Sequence, residues 1–170
     1  VGVHIVHTEE EARTAIEDAG RYGDEVLVEE FVEGMELTVG IVGEEVFPIV
    51  HIVPREGFYD MSNKYPWMSG GGGTDYFCPA DLDANTTKNV QSLALAAHQA
   101  LGIEVYSRVD VLLDSLSHPY ILEANTIPGM TASSLLPKGA AAAKPGYGFG
   151  ALCRRIGELS LALRRPDAPS

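Results

Sequence analysis

The chain has 170 residues and a formal net charge of −12, from 12 Lys and Arg against 24 Asp and Glu. Its 45% hydrophobic and 21% charged residues are typical of a soluble globular domain or part of a larger enzyme. The acidic balance argues against nucleic-acid binding, because a phosphate backbone would be repelled, and no apolar run approaches the roughly 20 residues that span a membrane.

The first predicted element is a helix that starts after Thr8. Thr8 and Glu11 have the spacing of a capping box, and Gly20 stands where a C′ glycine is expected. Three strands are predicted next, at 25–31, 35–42 and 46–53. Consecutive strands with short turns predict an antiparallel meander.

Residues 54–79 are predicted to be a long loop that contains four consecutive glycines. Such a loop is either a flexible excursion or a lid that orders over a ligand. A helix at 86–101, ended by Gly102, is followed by strands at 105–113 and 120–125, an irregular segment at 129–150, a helix near 149–163 and a disordered tail at 166–170.

The two strands at 105–113 and 120–125 form a predicted hairpin that aligns four polar residues. If its turn is 115–118, so that Asp114 opposes Pro119, Asp110 opposes Glu123 and residue 108 opposes residue 125. Directly opposite side chains lie about 4.5–5.5 Å apart at Cβ. Two carboxylates this close repel each other unless a cation or a proton lies between them.

Two cations could fill that position, and the sequence leaves both open. Arg108 could pair with Asp110, which for an ordinary surface hairpin would be a simple salt bridge. Alternatively, the oxygen atoms of Asp110, Glu123 and Asn125 are the hard ligands that suit Mg²⁺.

Six sequence segments, two of them in the hairpin, together carry a resemblance to a known family. They are 28–39 (VEEFVEGMELTV), 58–65 (FYDMSNKY), 76–80 (YFCPA), 106–110 (YSRVD), 122–131 (LEANTIPGMT) and 134–138 (SLLPK). Together they resemble, in register, the signatures of the D-alanine–D-alanine ligase family of the ATP-grasp superfamily. The acidic hairpin is similar to ATP-grasp enzymes in general, and the Asn-Thr-x-Pro-Gly-Met-Thr run and the Lys64-Tyr65 loop narrow the resemblance to these ligases.

The resemblance implies an α+β ATP-grasp fold of antiparallel sheets and packed helices, with the N-terminal region missing. Residues 1–57 would be the remainder of the central subdomain on the adenine side. Residues 58–165 would be the C-terminal catalytic subdomain, with a lid at about 58–79. The implied reaction, in peptidoglycan precursor synthesis, phosphorylates one D-alanine with ATP, and the amine of a second D-alanine attacks the acyl phosphate.

The resemblance also assigns roles to single residues. Two Mg²⁺ ions, or Mn²⁺, would bind Asp110, Glu123 and Asn125, with Glu123 bridging. Arg108 and the backbone N–H of Gly129 would stabilise the tetrahedral intermediate, and both would contact substrate. Ser134 and the backbone of Leu135 would hold the carboxylate of the second D-alanine. Lys64 would reach the γ-phosphate, and Tyr65 would help to close the lid.

The ATP-binding residues implied by the resemblance lie in three places. The backbone of 29–32 would read the adenine edge, and Glu36 would bind the ribose. The apolar walls would be Phe31, Phe58, Leu112 and Leu122. The full set is Glu29, Glu30, Phe31, Val32, Glu36, Phe58, Lys64, Leu112 and Leu122.

Several alternatives stay open at this point. The acceptor could be D-lactate or D-serine, although Lys64-Tyr65 favours D-alanine; a non-catalytic nucleotide-binding module is a second alternative. Compared with the lid of the ligase family, Met61 stands where an aromatic residue is common, and the stretch 66–74 is longer than usual.

Cys78 and Cys153, without a CxxC motif, favour a cytoplasmic protein. The resemblance implies a homodimer for the full-length enzyme, and the chain by itself is expected to be inactive.

Overall fold

The computed structural model describes residues 2–54, 73–131 and 133–163, which form four helices and six strands. The helices are α1 (Glu9–Ala19), α2 (Ala84–Ala100), α3 (Leu135–Ala142) and α4 (Phe149–Leu163). The strands are β1 (Gly34–Val42), β2 (Glu45–Val46), β3 (Val50–Pro54), β4 (Thr74–Phe77), β5 (Tyr106–Asp114) and β6 (Pro119–Asn125).

The chain divides into two compact units, Val1–Val32 and Glu33–Ser170. The second unit contains the whole sheet, so β1 and β3 belong with β5 and β6. The domain boundary predicted between 57 and 58 falls outside the described residues. It stays a prediction, as do the lid at about 58–79 and the tail at 166–170.

The first unit is built around α1, whose start confirms the predicted cap. The N–H of Glu11 donates to Thr8 Oγ1 at 3.2 Å, and its carboxylate accepts from the N–H of His7 at 2.7 Å. Gly20 is the C-cap, but with φ −62 it is right-handed and not the predicted left-handed C′. The strand predicted at 25–31 is wrong, because none of the described residues forms a ladder with it. Among residues 2–32, all of them described, none is buried.

The second unit is an antiparallel sheet in the order β4-β3-β1-β5-β6, with β2 also paired to β1. The strand predicted at 46–53 is divided into β2 and β3, because Pro48 between them has no N–H to donate. The prediction of a loop throughout 54–79 is wrong for Thr74–Phe77, which pairs with β3 as β4.

One face of the sheet carries the main core. Side chains alternate along β1 and β5, so Leu37, Val39 and Ile41 share this face with Val109, Val111 and Leu113. Val90 and Ala94 of α2 pack against them, and all eight are buried. Asp83 caps α2 by accepting from the N–H groups of Asn85 and Thr86 at 2.8 and 3.0 Å. The predicted helix is therefore confirmed, and Leu101, its predicted last residue, is exposed.

The opposite face is covered at one end by α3. Its Leu136 and Ala140 pack with Val42 of β1, with Phe47, and with Leu152 of α4. A Cβ added to Gly40 would lie 2.6 Å from Leu136 Cδ1, so glycine in β1 allows this close approach. The irregular segment predicted at 129–150 is wrong for Leu135–Ala142. Pro137 in the first turn is compatible with a helix there. The last helix is confirmed as α4.

The β5–β6 hairpin contains a β-bulge. Near the tip, Leu113 and not Asp114 pairs with Pro119, which corrects the predicted register by one residue. Leu122 is then an extra residue, and beyond it Asp110 pairs with Glu123 as predicted. The bulge lets Ile121 and Ala124, three residues apart, both pack on the main core. No described helix has the length and hydropathy needed to cross a membrane.

Candidate functional site

The face of the sheet opposite the main core carries the predicted polar cluster. Arg108 is the Cα partner of Asn125, and Asp110 is the partner of Glu123, so both predicted pairings are confirmed. The alternation of β5 places Arg108 and Asp110 on the face opposite Val109 and the main core. The hairpin therefore presents all four side chains on one surface.

Arg108 is the cation that both carboxylates share. It is 8% exposed and binds Asp110 with two hydrogen bonds, from Nε to Oδ1 at 2.9 Å and from Nη2 to Oδ2 at 2.6 Å. The same Nη2 lies 3.7 Å from Oε1 of Glu123, whose side chain is 61% exposed. The guanidinium is thus oriented by Asp110, and its Nη2 also approaches Glu123.

Thr38 belongs to this cluster, and the sequence analysis did not identify it. Its hydroxyl lies 2.5 Å from Asp110 Oδ1 and 3.3 Å from the carbonyl of Val109, and the side chain is buried. Thr38 is the Cα partner of Asp110 across the β1–β5 ladder. Its position two residues after Glu36 was a usable signal, because both point to the same face.

Glu36 lies on the same face, and its pKa is raised by its surroundings. Burial of its carboxyl and, second, the negative charge of Asp110 raise the pKa of Glu36 to about 7. Glu36 lies diagonally from Asp110, because its direct partner on β5 is Leu112. Three carboxyl groups and one guanidinium thus share this face, and the surface has excess negative charge at neutral pH.

The donor set suits a divalent cation. Asp110 accepts three hydrogen bonds and keeps one of about four lone-pair positions, whereas exposed Glu123 is almost entirely free to coordinate. Within the described ranges, no three His, Cys, Asp or Glu residues form a metal-binding group. The third oxygen would come from the amide of Asn125, whose Oδ1 currently accepts from the N–H of Ile127 at 3.0 Å. Carboxylate and amide oxygens with surplus negative charge match Mg²⁺.

The residues predicted to hold the second amino acid are brought together next to the hairpin. A Cβ on Gly129 would lie 2.8 Å from Ser134 Oγ, so the two are in close contact. Ser134 Oγ also accepts from the N–H of Thr131 at 2.9 Å and precedes α3 as its N-cap residue. Leu135 is the first helical residue, and the first amides of a helix have no intrahelical acceptor.

The predicted nucleotide-binding residues are distributed over both units. Leu112 of β5 is partly buried, and Leu122 at the bulge is 55% exposed. The segment 29–32 lies in the first unit, where Phe31 is exposed. Phe58, Lys64, Tyr65 and Met61 lie outside the described residues.

Known proteins resemble this chain over nearly its whole length. The D-alanine–D-alanine ligase of Methylacidiphilum infernorum is 44% identical over 94% of this chain and 51% of its own length. That of Geobacter sulfurreducens is 43% identical over 92% of this chain and 48% of its own length. The chain therefore spans about half the length of these curated relatives.

Solved structures share the fold. The crystal structure of D-alanine–D-alanine ligase from Bacillus anthracis complexed with ATP has a TM-score of 0.78 at 32% identity, covering 96% of this chain and 50% of that one. The VanG D-Ala:D-Ser ligase from Enterococcus faecalis has a TM-score of 0.74 at 30% identity, covering 89% and 43%. The α+β ATP-grasp fold is thereby confirmed.

The family described as D-ala D-ala ligase C-terminus matches residues 1–157. With the Arg108–Asp110–Glu123–Asn125 cluster in register and the fold shared with solved ligases, this match agrees with the resemblance seen in the sequence. The chain belongs to the D-ala D-ala ligase C-terminal family, within the ATP-grasp fold.

Proposed function

We propose that this chain is the C-terminal catalytic part of a cytoplasmic, ATP-dependent D-alanine–D-alanine ligase that supplies a peptidoglycan precursor. The observation that carries the proposal is the hairpin surface on which Arg108, Asp110, Glu123 and Asn125 converge. Excess carboxylate charge around a fixed guanidinium suits an enzyme that must neutralise and orient phosphate groups during phosphoryl transfer.

Asp110, Glu123 and Asn125 are the residues proposed to hold two Mg²⁺ ions, which would neutralise the ATP phosphates when bound. Arg108 already donates two hydrogen bonds to Asp110, so it needs no reorganisation to stabilise a developing negative charge. Gly129 lies against Ser134, where the absence of a Cβ leaves its backbone open to the reacting carbonyl group.

The remaining roles concern substrate binding. Ser134 and the backbone N–H of Leu135 would bind the carboxylate of the acceptor D-alanine, and Lys64 and Tyr65 would act from the lid. The nucleotide would lie against Phe31, Phe58, Leu112 and Leu122, with the backbone of Glu29, Glu30 and Val32 at the adenine edge. Glu36 would bind the ribose hydroxyls. A homodimer is proposed for the complete enzyme.

D-serine is the second candidate acceptor. The likeness to the VanG D-Ala:D-Ser ligase at 30% identity supports it, but the relatives at 43–44% identity are D-alanine–D-alanine ligases. These relatives and the Lys64-Tyr65 pair favour D-alanine.

The proposal is tested with the complete ligase that contains this chain. ADP release and product mass are measured with ATP, Mg²⁺ and D-alanine, and then with D-serine or D-lactate added as a competing acceptor. We expect D-alanyl-D-alanine as the main product. A main product ending in D-serine or D-lactate would replace the acceptor, and no ADP release with any of these substrates would reject the ligase function.

A further inference from the structure

Lys138 is a shielded cation that the proposed roles do not use. Among the described lysines and arginines, only Arg108 and Lys138 are not exposed. Arg108 is neutralised by Asp110, whereas no carboxylate of the described residues pairs with Lys138. In a chain with 24 acidic residues against 12 basic ones, a partly buried ammonium without an acidic partner is unexpected.

The ammonium of Lys138 lies over the ring of Tyr76, whose centroid is 5.6 Å away. Its charge also acts on the Cys78 thiol: burial raises the pKa of that thiol, and Lys138 lowers it by a smaller amount. The face of an aromatic ring attracts a cation but leaves its three N–H donors unsatisfied. Tyr76 itself is fixed by packing against the cluster of Val50, Ile52 and Leu135. The ring therefore holds the side chain in place without neutralising its charge.

The position of Lys138 on α3 indicates which anion it would meet. Its N–H donates to the carbonyl of Ser134 at 3.2 Å, so the two residues are one helical turn apart. Side chains on a helix lean toward its N-terminus, which directs Lys138 back over the first turn. Tyr76 packs against the cluster that Leu135, the first residue of this helix, forms with Val50 and Ile52. The ammonium thus lies on the side of α3 where Ser134 and Leu135 are proposed to bind the acceptor.

We propose that Lys138 is a specificity-determining residue that pairs with the carboxylate of the acceptor amino acid, alongside Ser134 and Leu135. This inference rests on the proposed ligase function. It adds a charge beside the neutral donors of Ser134 and Leu135, and Tyr76 positions that charge. An acceptor with a free carboxylate is then preferred over a neutral analogue of the same size.

An internal competition tests the inference in the complete ligase. D-alanine and D-alaninamide are supplied together with Mg-ATP, and the ratio of D-alanyl-D-alanine to its amide is measured by mass spectrometry. D-alaninamide has no carboxylate to phosphorylate, so it serves only as an acceptor. The product ratio therefore reports acceptor choice alone, whatever happens to ATP binding or to the fraction of folded enzyme.

We expect Lys138→Met, which keeps an unbranched chain over Tyr76, to lower this ratio about 10- to 100-fold, as loss of a charged hydrogen bond does. Lys138→Arg should keep the ratio within a few-fold of the parent. The matched control is Lys88→Met, because Lys88 is an exposed lysine on α2.

An unchanged ratio in Lys138→Met would overturn the inference, even if total activity or melting temperature fell, because that result describes a structural lysine. A ratio that fell equally in Lys88→Met would overturn it as well. If the parent enzyme is active, both of these results still support the proposed ligase function. If the parent enzyme forms neither product, both the ligase function and the role of Lys138 are rejected.

Discussion

Arg108 and Asp110 illustrate how one residue pair can be both structural and chemical. A buried ion pair contributes little net stability, because removing two charges from water costs about as much as their attraction returns. Asp110 nevertheless orients the guanidinium of Arg108 by accepting two hydrogen bonds from it. Asp110 is oriented in turn by the hydrogen bond that the hydroxyl of Thr38 donates. The physical benefit of this arrangement is orientation, which a catalytic role needs and a purely structural role does not.

Glu123→Gln is expected to abolish ligation in the complete enzyme and leave the fold intact. Its side chain is 61% exposed, and its contact with Arg108 is a long one of 3.7 Å, so little stability depends on it. A neutral amide cannot balance two Mg²⁺ ions. ADP release with D-alanine and ATP measures the effect. Activity within a few-fold of the parent would rule out the bridging role, and an unchanged melting temperature is the control for folding.

Arg108→Lys is expected to lower turnover about a hundredfold or more, as removal of one oxyanion donor does. Lysine keeps the positive charge but cannot donate the two parallel hydrogen bonds that Asp110 now accepts. Turnover and melting temperature are measured side by side. A large loss of thermal stability with preserved turnover would show that the pair with Asp110 is structural only.

Glu36 is expected to make the metal-free protein less stable as the pH rises. Its pKa of about 7 lies above the ordinary value of 4.5, so between these values the folded state keeps a proton that the unfolded state releases. Stability should therefore fall from pH 5 to pH 8, by about 1 kcal/mol because the group is partly solvated.

Glu36→Gln is the matched variant for this prediction. The amide does not titrate, so the variant should equal the parent at pH 5 and exceed it in stability at pH 8. Urea unfolding in the presence of EDTA at both pH values gives the comparison. An equal pH dependence in parent and variant would assign the effect to another group.

At the scale of elements, the sequence predicted the pairing of the hairpin strands at the site, but not the β-bulge or the register near the tip. Strand alternation and a short turn suffice to place Asp110 opposite Glu123. The assumed pairing of Asp114 with Pro119 would have given this result without a bulge. The structure reaches it with a shifted tip and an extra Leu122, a compensation that depends on packing of Ile121 against the core and leaves no mark in the local sequence.

The elements that sequence reasoning misjudged depend on tertiary contacts. The segment 25–31 has strand-forming residues but no partner strand among the described residues. β4 is four residues long and is stabilised by its ladder with β3. α3 is rich in Ala, with Gly139 and Pro137, and its helical state is supported by packing of Leu136 and Ala140 beneath β1.

Gly40→Ala is expected to destabilise the protein by about 1–3 kcal/mol, because the new methyl group would lie 2.6 Å from Leu136 Cδ1 and 3.2 Å from Phe47 Cδ2. Gly157→Ala is the matched control. Among the described residues, no atom beyond its chain neighbours and its own helix backbone lies within 4 Å of its added Cβ in α4. The same substitution should therefore stabilise the protein by about 0.5–1 kcal/mol. Denaturant unfolding measures both, and shifts of equal sign would contradict the packing argument.

At the scale of the whole molecule, residues 1–170 by themselves are expected to bind Mg-ATP weakly and to form no D-alanyl-D-alanine. The chain spans about half the length of its relatives and carries a net charge of −12. If the other half of such a ligase supplies two or three charged contacts to the phosphates, at about 1.5–3 kcal/mol each, their loss weakens binding by several orders of magnitude. Calorimetric titration with Mg-ATP is the measurement, and micromolar affinity or dipeptide synthesis would contradict the expectation.

None of the residues in 2–32 is buried, and this has a consequence for how the chain would respond to proteases and to solvent exchange. An 11-residue helix is marginal in water without tertiary support, and α1 buries none of its side chains. Its amides should open by local fraying, at a small fraction of the free energy needed to open β1 or β5 in the centre of the sheet. Within the described part of the chain, the first cuts by a nonspecific protease would fall in the first unit, and the sheet with its carboxylate cluster would be cut later.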